Sequence, residues 1–525
     1  MGRYIPGFGD VEIGRRGLKC LQAHTIKINK RGHMKSALTT SQMAYCDKTT
    51  IDGGVPSREL MRRVAQAVYD GRAWQGRIAI ICGKGNNGGD GLALAEIMAD
   101  GGLSPKVYLC GGVSEDGRYY LDRLTSKGYG DIYDVLLCDY DVDIIVDCIF
   151  GTGFKGQPKE QYAEIINKIN ASRACKISVD IPSGLDGDSG RFKVCVKADE
   201  TVSVQYAKTG LYLNDGKDMT GKLSIVDVGI GLHTDGVKVV EREDVAKLFP
   251  PRKLNTHKGS FGKSAIMGGC GNYLGAVRLA NMGLCALRSG GGLNAVITPC
   301  SQTKHILGSV VESTVIGMTD IDGRFVFDKE EIDKALSGVD VLAIGMGMGD
   351  DYTQNAKIIR YIVENYKIKV LIDADGLNSL ARDVSMLKCA KAQIILTPHV
   401  KEMSRLCGKT TEEILDDPIG IAKEFANEYG VVVLLKGASS VMTDGREVYL
   451  TTNGGAELSK GGSGDTLSGV ILGMLSWDNG LLESAYAAAY LTAEVAKSLK
   501  EEFSEYGVLP SDVARKIKEL CKERS

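Results

Sequence analysis

The chain alternates short, almost continuously apolar runs with longer stretches in which apolar residues recur every three or four positions. In the first half the apolar runs predict strands at 77–83, 106–110, 143–151, 176–184, 200–206 and 222–229. Strands that are apolar on both faces and alternate with helices are typical of a parallel sheet covered on both sides. Ahead of them, residues 38–71 predict two helices separated by Gly53, Gly54 and Pro56.

A second series of the same kind follows. Its predicted strands are 263–269, 339–349, 369–380, 393–399 and 431–437, and two helices are predicted after them at 465–477 and 484–500. Between the two series, around 231–260, Pro250 and Pro251 end a helix, and the basic polar stretch after them has no periodicity. We therefore predict two α/β domains, residues 36–235 and 240–520, preceded by a basic extension, residues 1–35.

Composition narrows the functional class. Apolar residues make up 43% of the chain, charged residues 25%, and the formal net charge is −2, so nothing attracts nucleic acid or acidic membranes in general. No apolar run is long enough to span a bilayer. The 14 cysteines include no CxxC pair and mostly lie in apolar runs, which is typical of buried thiols in a reducing compartment. We expect a cytoplasmic protein without nucleic-acid or membrane partners.

The first 33 residues differ from the rest because they are basic and contain only Asp10 and Glu12 as acids. A transit peptide would share that charge, but Pro6 and several glycines leave no clear amphipathic helix. The alternative is that Met34 is the true start and that residues 1–33 are disordered or not native. We favour this alternative and expect their removal to leave solubility and activity intact.

A glycine-rich loop, CGKGNNGGDG, connects the first predicted strand to a helix at residues 82–91. Its spacing is neither GxGxxG nor a Walker ending, and no positive charge follows Lys84. Asp147 and Asp180 stand at the carboxyl ends of two further predicted strands, the edge where ligands bind in open α/β sheets. Oxygen donors without cysteine or histidine suit a hard cation. The alternative is ordinary turn capping by these Asp and Asn residues.

Four motifs in this order resemble the NAD(P)H-hydrate epimerase family: GKGNNGGDG, DCIFGTGFKG, DIPSGLDGDSG and AKTGLYL. The resemblance covers roughly residues 38–230 and implies a Rossmann-like, three-layer fold with bound potassium. It implies Asn87, Asp147 and Ser183 as potassium ligands. The residues implied to contact the hydrated nucleotide are Asn86, Asn87, Gly88, Gly89, Asp90, Gly151, Thr152, Gly153, Phe154, Lys155, Gly156, Gln157 and Asp180.

The reaction that this resemblance implies is inversion at C6 of a nicotinamide ring to which water has added, so that the R and S hydrates interconvert. Asp180 is the candidate acid or base, and a role in orienting the ligand is the alternative. Lys155 is a candidate to hold an anion. The competing class is a non-catalytic interaction module of the same fold, but such a module would not need the acids that this chain retains.

The second half has its own glycine loop, KGGSGDTLSGVILGML at residues 460–475, which places Asp465 at the start of an apolar helix. Free backbone N–H groups at a helix start form an anion hole for a transferring phosphoryl group. A carboxylate beside that hole is placed to take a proton from an attacking hydroxyl. The alternative is that Asp465 only caps the helix.

Companion motifs, among them HKGSFGKSAIMGGCGNYLGA, DADGLN, TPHVKEMSRL and LKGASSVMTDG, together with GGSGD resemble the ADP-dependent NAD(P)H-hydrate dehydratase family. The resemblance covers about residues 240–500 and implies a ribokinase-like fold. With the first half, the arrangement is similar to the fused bacterial NAD(P)H-hydrate repair enzymes. The residues implied to contact the hydrate are Ala276, Gly347, His399 and Asp465, and those implied to hold the nucleotide are Lys436, Gly437, Ala438, Ser439, Ser440 and Gly464.

The reaction implied for this half is phosphorylation of the C6 hydroxyl by ADP, with magnesium, followed by loss of phosphate to give NADH or NADPH, leaving AMP. Asp465 would be the base. For His399, a purely structural role is the alternative to substrate contact.

Two positions depart from the family pattern, since Met346 stands where a proline is usual and Gly455 stands where asparagine is expected. The first should slightly loosen its loop. The second leaves a hydrogen bond to substrate or nucleotide in doubt. The competing function for this half is a ribokinase-type small-molecule kinase. We expect the whole chain to form a homo-oligomer.

Overall fold

The computed structural model describes residues 35–249, 254–255, 257–287 and 292–522. The expectation about residues 1–33 lies outside them. In the first half the strands are β1 (Lys35–Leu38), β2 (Ile78–Cys82), β3 (Lys106–Leu109), β4 (Ile132–Asp134), β5 (Ile144–Cys148), β6 (Cys175–Val179), β7 (Glu200–Val204), β8 (Ala207–Lys208), β9 (Lys222–Val226) and β10 (Val237–Val239). The helices are α1 (Thr40–Asp52), α2 (Ser57–Asp70), α3 (Asn86–Asp100), α4 (Glu115–Ser126), α5 (Glu160–Ala171), α6 (Gly216–Thr220) and α7 (Arg242–Ala246).

Seven strands of the first half form one sheet in the order β4-β3-β2-β5-β6-β7-β9, and all neighbouring pairs are parallel. Alternate residues of β2 enter different apolar clusters, since Ile80 belongs to one and Ile81 to the other. Both faces of the sheet are therefore covered. Each run predicted as a strand in this half contains one, and the two leading helices are confirmed.

The second half contains β11 (Lys263–Met267), β12 (Leu293–Pro299), β13 (Thr314–Met318), β14 (Asp320–Ile321), β15 (Arg324–Phe325), β16 (Val341–Ile344), β17 (Lys369–Ile372), β18 (Gln393–Leu396), β19 (Val432–Leu435), β20 (Ser440–Thr443) and β21 (Val448–Thr451). Its helices are α8 (Leu274–Ala286), α9 (Thr303–Leu307), α10 (Lys329–Ala335), α11 (Tyr352–Asn365), α12 (Asp375–Leu380), α13 (Val400–Cys407), α14 (Thr411–Asp416), α15 (Pro418–Tyr429), α16 (Ser463–Leu475), α17 (Leu481–Gly507) and α18 (Pro510–Lys522).

The second sheet has the order β13-β12-β11-β16-β17-β18-β19-β20-β21-β10-β1-β8. It is parallel from β13 to β19, and β19, β20 and β21 then pair antiparallel. Ala265 and Ile266 of β11 again enter different apolar clusters. The predicted strands and both final helices are present, so the predicted α/β class is confirmed.

Three strands of the first half, β1, β8 and β10, extend the sheet of the second half. Strand β10 pairs with β21, and β1 lies between β10 and β8. We expected each half to contain its own strands and predicted none around 237–239. That expectation was wrong because these strands are only two to four residues long, too short to show a period. Among the described residues, no helix is long and apolar enough to cross a membrane.

Candidate functional sites

A cavity of about 800 Å³ opens at the carboxyl ends of β2, β5 and β6 in the first half. Helix α3 begins there with Gly85 as its N-cap residue and no side-chain cap, so its first N–H groups are available to a ligand. The sequence-predicted residues that line the cavity are Asn86, Asn87, Asp90, Gly151, Thr152, Gly153, Phe154, Lys155, Gln157 and Asp180.

Three predicted glycines are not among the lining residues. A Cβ atom on Gly88 would lie 1.9 Å from the carbonyl oxygen of Gly83, and one on Gly89 would lie 2.5 Å from Met61. These two glycines therefore allow α3 to pack closely beside the loop. Gly156 has a φ of +80°, which favours glycine in its turn.

The three residues predicted as potassium ligands lie together beneath the cavity. Asp147 is fully buried and accepts hydrogen bonds from Ser183 Oγ at 2.5 Å and from Ser183 N at 2.9 Å. Asn87 Nδ2 donates to the carbonyl oxygen of Phe150 at 2.9 Å, and Ser183 Oγ accepts from Phe150 N. Asn87 Oδ1 is buried without a hydrogen-bond partner, so one oxygen in this cluster is free to accept a ligand.

Asp180 connects the cavity to a buried lysine. Its φ of 71° lies in the left-handed region, which is uncommon for a residue other than glycine. Its Oδ2 accepts from Thr152 N at 3.2 Å, and its Oδ1 accepts from the ammonium of Lys208. Lys208 is completely buried and also donates to Ser203 Oγ and Val204 O. The pair therefore fixes one carboxylate at the cavity wall.

Two further carboxyl groups lie close to this pair. Burial and the nearby charge of Asp180 raise the pKa of Asp47 to about 6, against the opposing effect of Lys208. Burial, Asp180 and Asp47 raise the pKa of Asp90 well above its usual value. Asp47 lines the cavity but was not predicted, because α1 had been assigned only a structural part. Lys208 was missed as well, although it belongs to the quoted motif AKTGLYL.

Lys155 does not have a free charge at the cavity rim. Its ammonium pairs with Asp188 at 2.9 Å and donates to Thr40 Oγ1 at 2.7 Å. Phe150 and Phe154 stack with their ring centroids 4.5 Å apart on the same wall. This wall therefore combines the apolar rings of Phe150 and Phe154 with the ion pair of Lys155 and Asp188 at its rim.

The second site lies where α16 begins. Its N-cap residue, Gly462, has a φ of 96° and provides no side-chain cap, and Asp465 is the third residue of the helix. The expectation of a free helix start is thus met, and the N-cap position belongs to Gly462 rather than to Asp465. A Cβ atom on Gly464 would lie 3.5 Å from Lys436 Nζ, which brings the glycine loop against the predicted nucleotide lysine.

Asp373 forms the centre of the charges at this site, although it was not predicted as a site residue. Its carboxylate accepts from Lys436 Nζ at 2.9 Å and from Ser468 Oγ at 2.7 Å. Burial alone would raise the pKa of Asp373, but Lys436 and the hydroxyl of Ser468 hold it below its usual value. Burial and then the charge of Asp373 raise the pKa of Asp465 to about 7. One charged and one titrating carboxyl group therefore face the glycine loop.

His399 is the N-cap residue of α13. Its Nδ1 accepts from Lys401 N at 3.1 Å and from Glu402 N at 3.2 Å. Burial and then Lys436 lower its pKa, so the neutral ring is favoured. The structural role that was the alternative for His399 is therefore present, and its Nε2 lies 3.6 Å from Glu402 Oε1.

Of the other residues predicted for the second half, some lie next to one another and others contact neighbouring parts of the chain. Gly347 has a φ of 65°, and a Cβ atom there would lie 3.3 Å from Ala276 Cβ, so these two residues are adjacent. Ser439 is buried, and its hydroxyl donates to the carbonyl oxygen of Tyr212 in the first half at 2.7 Å. Met346 is fully buried in an apolar cluster, which gives its loop packing that a proline would not supply.

Each half of the chain matches the model of a known protein family. A family model described as NAD(P)H-hydrate dehydratase matches residues 264–519, and one described as YjeF-related protein N-terminus matches residues 57–210. A similar solved structure is the ADP/ATP-dependent NAD(P)H-hydrate dehydratase from Bacillus subtilis, co-crystallised with ATP/Mg²⁺. It is 26% identical with a TM-score of 0.47, over 54% of this chain and 98% of that chain.

Two curated relatives span nearly the whole chain. The bifunctional NAD(P)H-hydrate repair enzyme Nnr of Moorella thermoacetica is 32% identical over 91% of this chain and 94% of its own. The Escherichia coli enzyme of the same name is 30% identical over 88% of each chain. The chain therefore belongs to the family of bifunctional NAD(P)H-hydrate repair enzymes.

Proposed function

We propose that this protein repairs hydrated NADH and NADPH in two steps. The first half interconverts the R and S hydrates at C6, and the second half uses ADP to dehydrate the S form, giving NAD(P)H, AMP and phosphate. The proposal rests on one observation, the presence of two polar sites in one chain. Asp180 and Lys208 form the first at the edge of the first sheet, and Asp465 and Asp373 form the second at the edge of the second sheet. Family membership supports the pairing of the two activities.

For the first step, the cavity wall provides the groups that inversion at C6 requires. Asp180 is fixed by Lys208 and Thr152 N, and we assign it to proton transfer with the C6 substituent. A Cβ atom on Gly151 would lie 3.2 Å from Asp180 Oδ2, so glycine there keeps the carboxylate accessible. The stacked rings of Phe150 and Phe154 would cover the apolar part of the nucleotide.

Potassium fits the cluster beneath the cavity because Asn87 Oδ1 is a buried oxygen without a partner. Asn87, Asp147 and Ser183 would hold the ion, which when bound would supply a fixed positive charge for an anionic or polar ligand. The residues themselves already order the loop after β5, since Ser183 and Asn87 hold both backbone groups of Phe150.

For the second step, Asp465 takes the proton of the C6 hydroxyl, and the hydroxyl oxygen attacks the β-phosphorus of ADP. The bond from that phosphorus to its bridging oxygen breaks and releases AMP. N–H groups at the start of α16 stabilise the charge on the phosphoryl oxygens. The C6–O bond then breaks with phosphate as the leaving group, C5 loses a proton, and the C5–C6 double bond of NAD(P)H is restored.

The nucleotide would be held by Lys436, Gly437, Ala438, Ser439, Ser440 and Gly464, and the hydrate by Ala276, Gly347, His399 and Asp465. Magnesium would bind mainly through phosphate oxygens and neutralise part of their charge. The ammonium of Lys436 and the uncapped N–H groups at the start of α16 would neutralise more of it.

We assign the protein to the cytoplasm and to a homo-oligomer. Six cysteines in the described part of the chain, among them Cys82 and Cys148, are buried as free thiols, which suits a reducing compartment. Leu136 and Leu137 are 84% and 70% exposed directly after the edge strand β4. This pair would give two copies an apolar contact.

The test mixes the protein with a racemic NADH hydrate and either ADP or ATP and follows the absorbance of the restored dihydronicotinamide. We expect both isomers to be consumed by the wild type. Asp180→Asn should stop near half because only the S form is dehydrated, and it is the preferred substitution because asparagine tolerates a positive φ. If neither ADP nor ATP restores NADH, the repair function is refuted, whereas a preference for ATP would correct only the identity of the phosphoryl donor. A phosphorylated product without NADH would instead favour the ribokinase-type kinase.

A further inference from the structure

Lys217 of α6, in the epimerase half, reaches into the dehydratase half. Its ammonium donates to the carbonyl oxygen of Ala438 at 3.1 Å and to that of Gly454. The two acceptors belong to different segments, and the Cβ position of Gly454 lies 4.0 Å from Ala438 O. One side chain of the first half therefore joins two segments of the second.

Both segments continue into the second site. The first, residues 436–440, begins with Lys436, whose ammonium pairs with Asp373 beside Asp465. The second, residues 453–455, leads through a short 3₁₀ helix, Ala456–Leu458, to Gly462 at the start of α16. The backbone that Lys217 holds is thus continuous with the lysine and the glycine loop assigned to the nucleotide.

The rest of the 436–440 segment is held in the same way. Ser439 is 5% exposed, and its hydroxyl donates to the carbonyl oxygen of Tyr212, again in the epimerase half. The segment is therefore fixed at Lys436 by the site and at Ala438 and Ser439 by the other half of the chain. Its conformation depends on both.

Charge makes the Lys217 contact stronger than a neutral hydrogen bond would be. The side chain is half-buried, and burial lowers its pKa while the nearby Glu457 opposes that change. Glu457 is 3% exposed, and its Oε2 has no hydrogen-bond partner. The charge of Glu457 offsets part of the effect of burial on the Lys217 pKa, and a charged donor bonds a carbonyl more strongly than a neutral one.

We propose that Lys217 is a positioning residue for the dehydratase reaction, which sets the affinity for ADP from the epimerase half without touching the nucleotide. This inference rests on the proposed nucleotide site at residues 436–440. The two active sites are then structurally linked, because the epimerase half, which supplies the S hydrate, also positions the 436–440 segment that holds ADP.

Another contact across the same junction provides a matched control. Arg191 Nη1 pairs with Asp416 Oδ1 at 2.8 Å at the end of α14, and it belongs to neither segment. Loss of this pair weakens the junction in general. Loss of Lys217 should in addition disturb the nucleotide loop.

The experiment compares Lys217→Met, Lys217→Arg and Arg191→Gln in the full chain, using S hydrate and varied ADP. We expect Lys217→Met to raise the KM for ADP about five- to tenfold, which is only part of what a lost hydrogen bond from a charged group costs because the effect on the nucleotide is indirect, with kcat within about twofold and epimerisation unchanged. Lys217→Arg should recover most of the loss. In parallel, the rise in Tm produced by a fixed ADP concentration should be smaller in Lys217→Met than in the wild type.

An unchanged KM and an unchanged ADP-induced Tm rise in Lys217→Met would overturn the proposal, as would an equal effect of Arg191→Gln. If Lys217→Met does not fold, Lys217→Gln, which keeps a neutral donor, takes its place: a KM for ADP at least about threefold above the wild-type value supports the proposal, and an unchanged KM refutes it. A wild type without ADP-dependent dehydration would refute the proposed function itself, which is a separate outcome.

Discussion

The ammonium of Lys208 and the carboxylate of Asp180 form an ion pair in which the lysine side chain has no exposed surface. The carboxylate lies at the wall of the first cavity, and the lysine lies in β8, at the end of the sheet that belongs mainly to the other half. A buried ammonium with three acceptors leaves the carboxylate little freedom to rotate. The pair therefore fixes where the charged groups of the first site lie and how the Asp180 carboxylate is oriented at the cavity wall.

Lys208→Met should remove the counter-ion of Asp180 and leave its buried carboxylate with only the hydrogen bond from Thr152 N. Breaking a buried pair from one side costs about 3 kcal/mol, so we expect a lower Tm and an epimerase rate reduced by about 100-fold. Dehydration of the S hydrate should be retained below the new Tm. Lys222→Met, at an exposed position of β9, is the control, and equal losses in the two variants would contradict the assignment.

Asp47 should act as a proton donor in epimerisation, because its pKa of about 6 keeps it partly protonated under mildly acidic conditions. For a donor, the kcat/KM for epimerisation should fall as the pH rises above about 6. Asp47→Asn, which cannot donate that proton, should lose this dependence and most of the rate. Asp52→Asn on the same helix, where Asp52 is an exposed partner of Lys48, should retain the wild-type profile. A wild-type rate that is flat from pH 5 to 8 would rule out this role.

The dehydratase should show the opposite pH dependence. Asp465 must be ionised to accept a proton, and burial and Asp373 raise its pKa to about 7. The kcat/KM with S hydrate and ADP should therefore increase with pH up to about 7 and then level off. Asp465→Asn should lower kcat at least about 100-fold while epimerisation continues. Asp478→Asn, at an exposed position beyond α16, should change neither, and a pH-independent wild type would argue against Asp465 as the base.

Potassium should support the first step only. Replacing K⁺ by choline at constant ionic strength should slow epimerisation and lower the Tm of the protein. Asn87→Ala removes the buried oxygen of this cluster that has no hydrogen-bond partner and should abolish the potassium-dependent change in Tm. The same Tm in K⁺ and choline for the wild type would show that the cluster does not bind the ion.

Most of the strands that were predicted from the sequence are buried on both faces, although β12 and β21, which are also largely buried, were missed. Ile78–Cys82 is buried at every position, and such a run has a composition that few other structures share. The short strands β1, β8 and β10 contain only two to four residues, and they exist because partners far away in the chain provide the hydrogen bonds. Nothing local in the sequence encodes those partners.

The same distinction applies to the sites. Asn87, Asp147 and Ser183 were found from their motifs and lie together as predicted. Lys208 and Asp373 matter because they are buried and form ion pairs. The sequence does not show whether a given lysine or aspartate is buried or exposed, so neither residue could be predicted. For His399 the motif suggested contact with a ligand. In the structure, its Nδ1 instead accepts hydrogen bonds from backbone N–H groups of α13.

Because β10 and β1 complete the sheet beyond β21, the stretch between the two halves is a poor place to cut the gene. A dehydratase fragment starting after residue 250 would leave the backbone of β21 unpaired along its outer side, and an epimerase fragment ending there would leave β10 and β1 as a short ribbon with no sheet to join. Unpaired strand edges invite association between chains. In this chain, separate expression of either fragment should therefore expose these edges and favour self-association, which size-exclusion chromatography would detect.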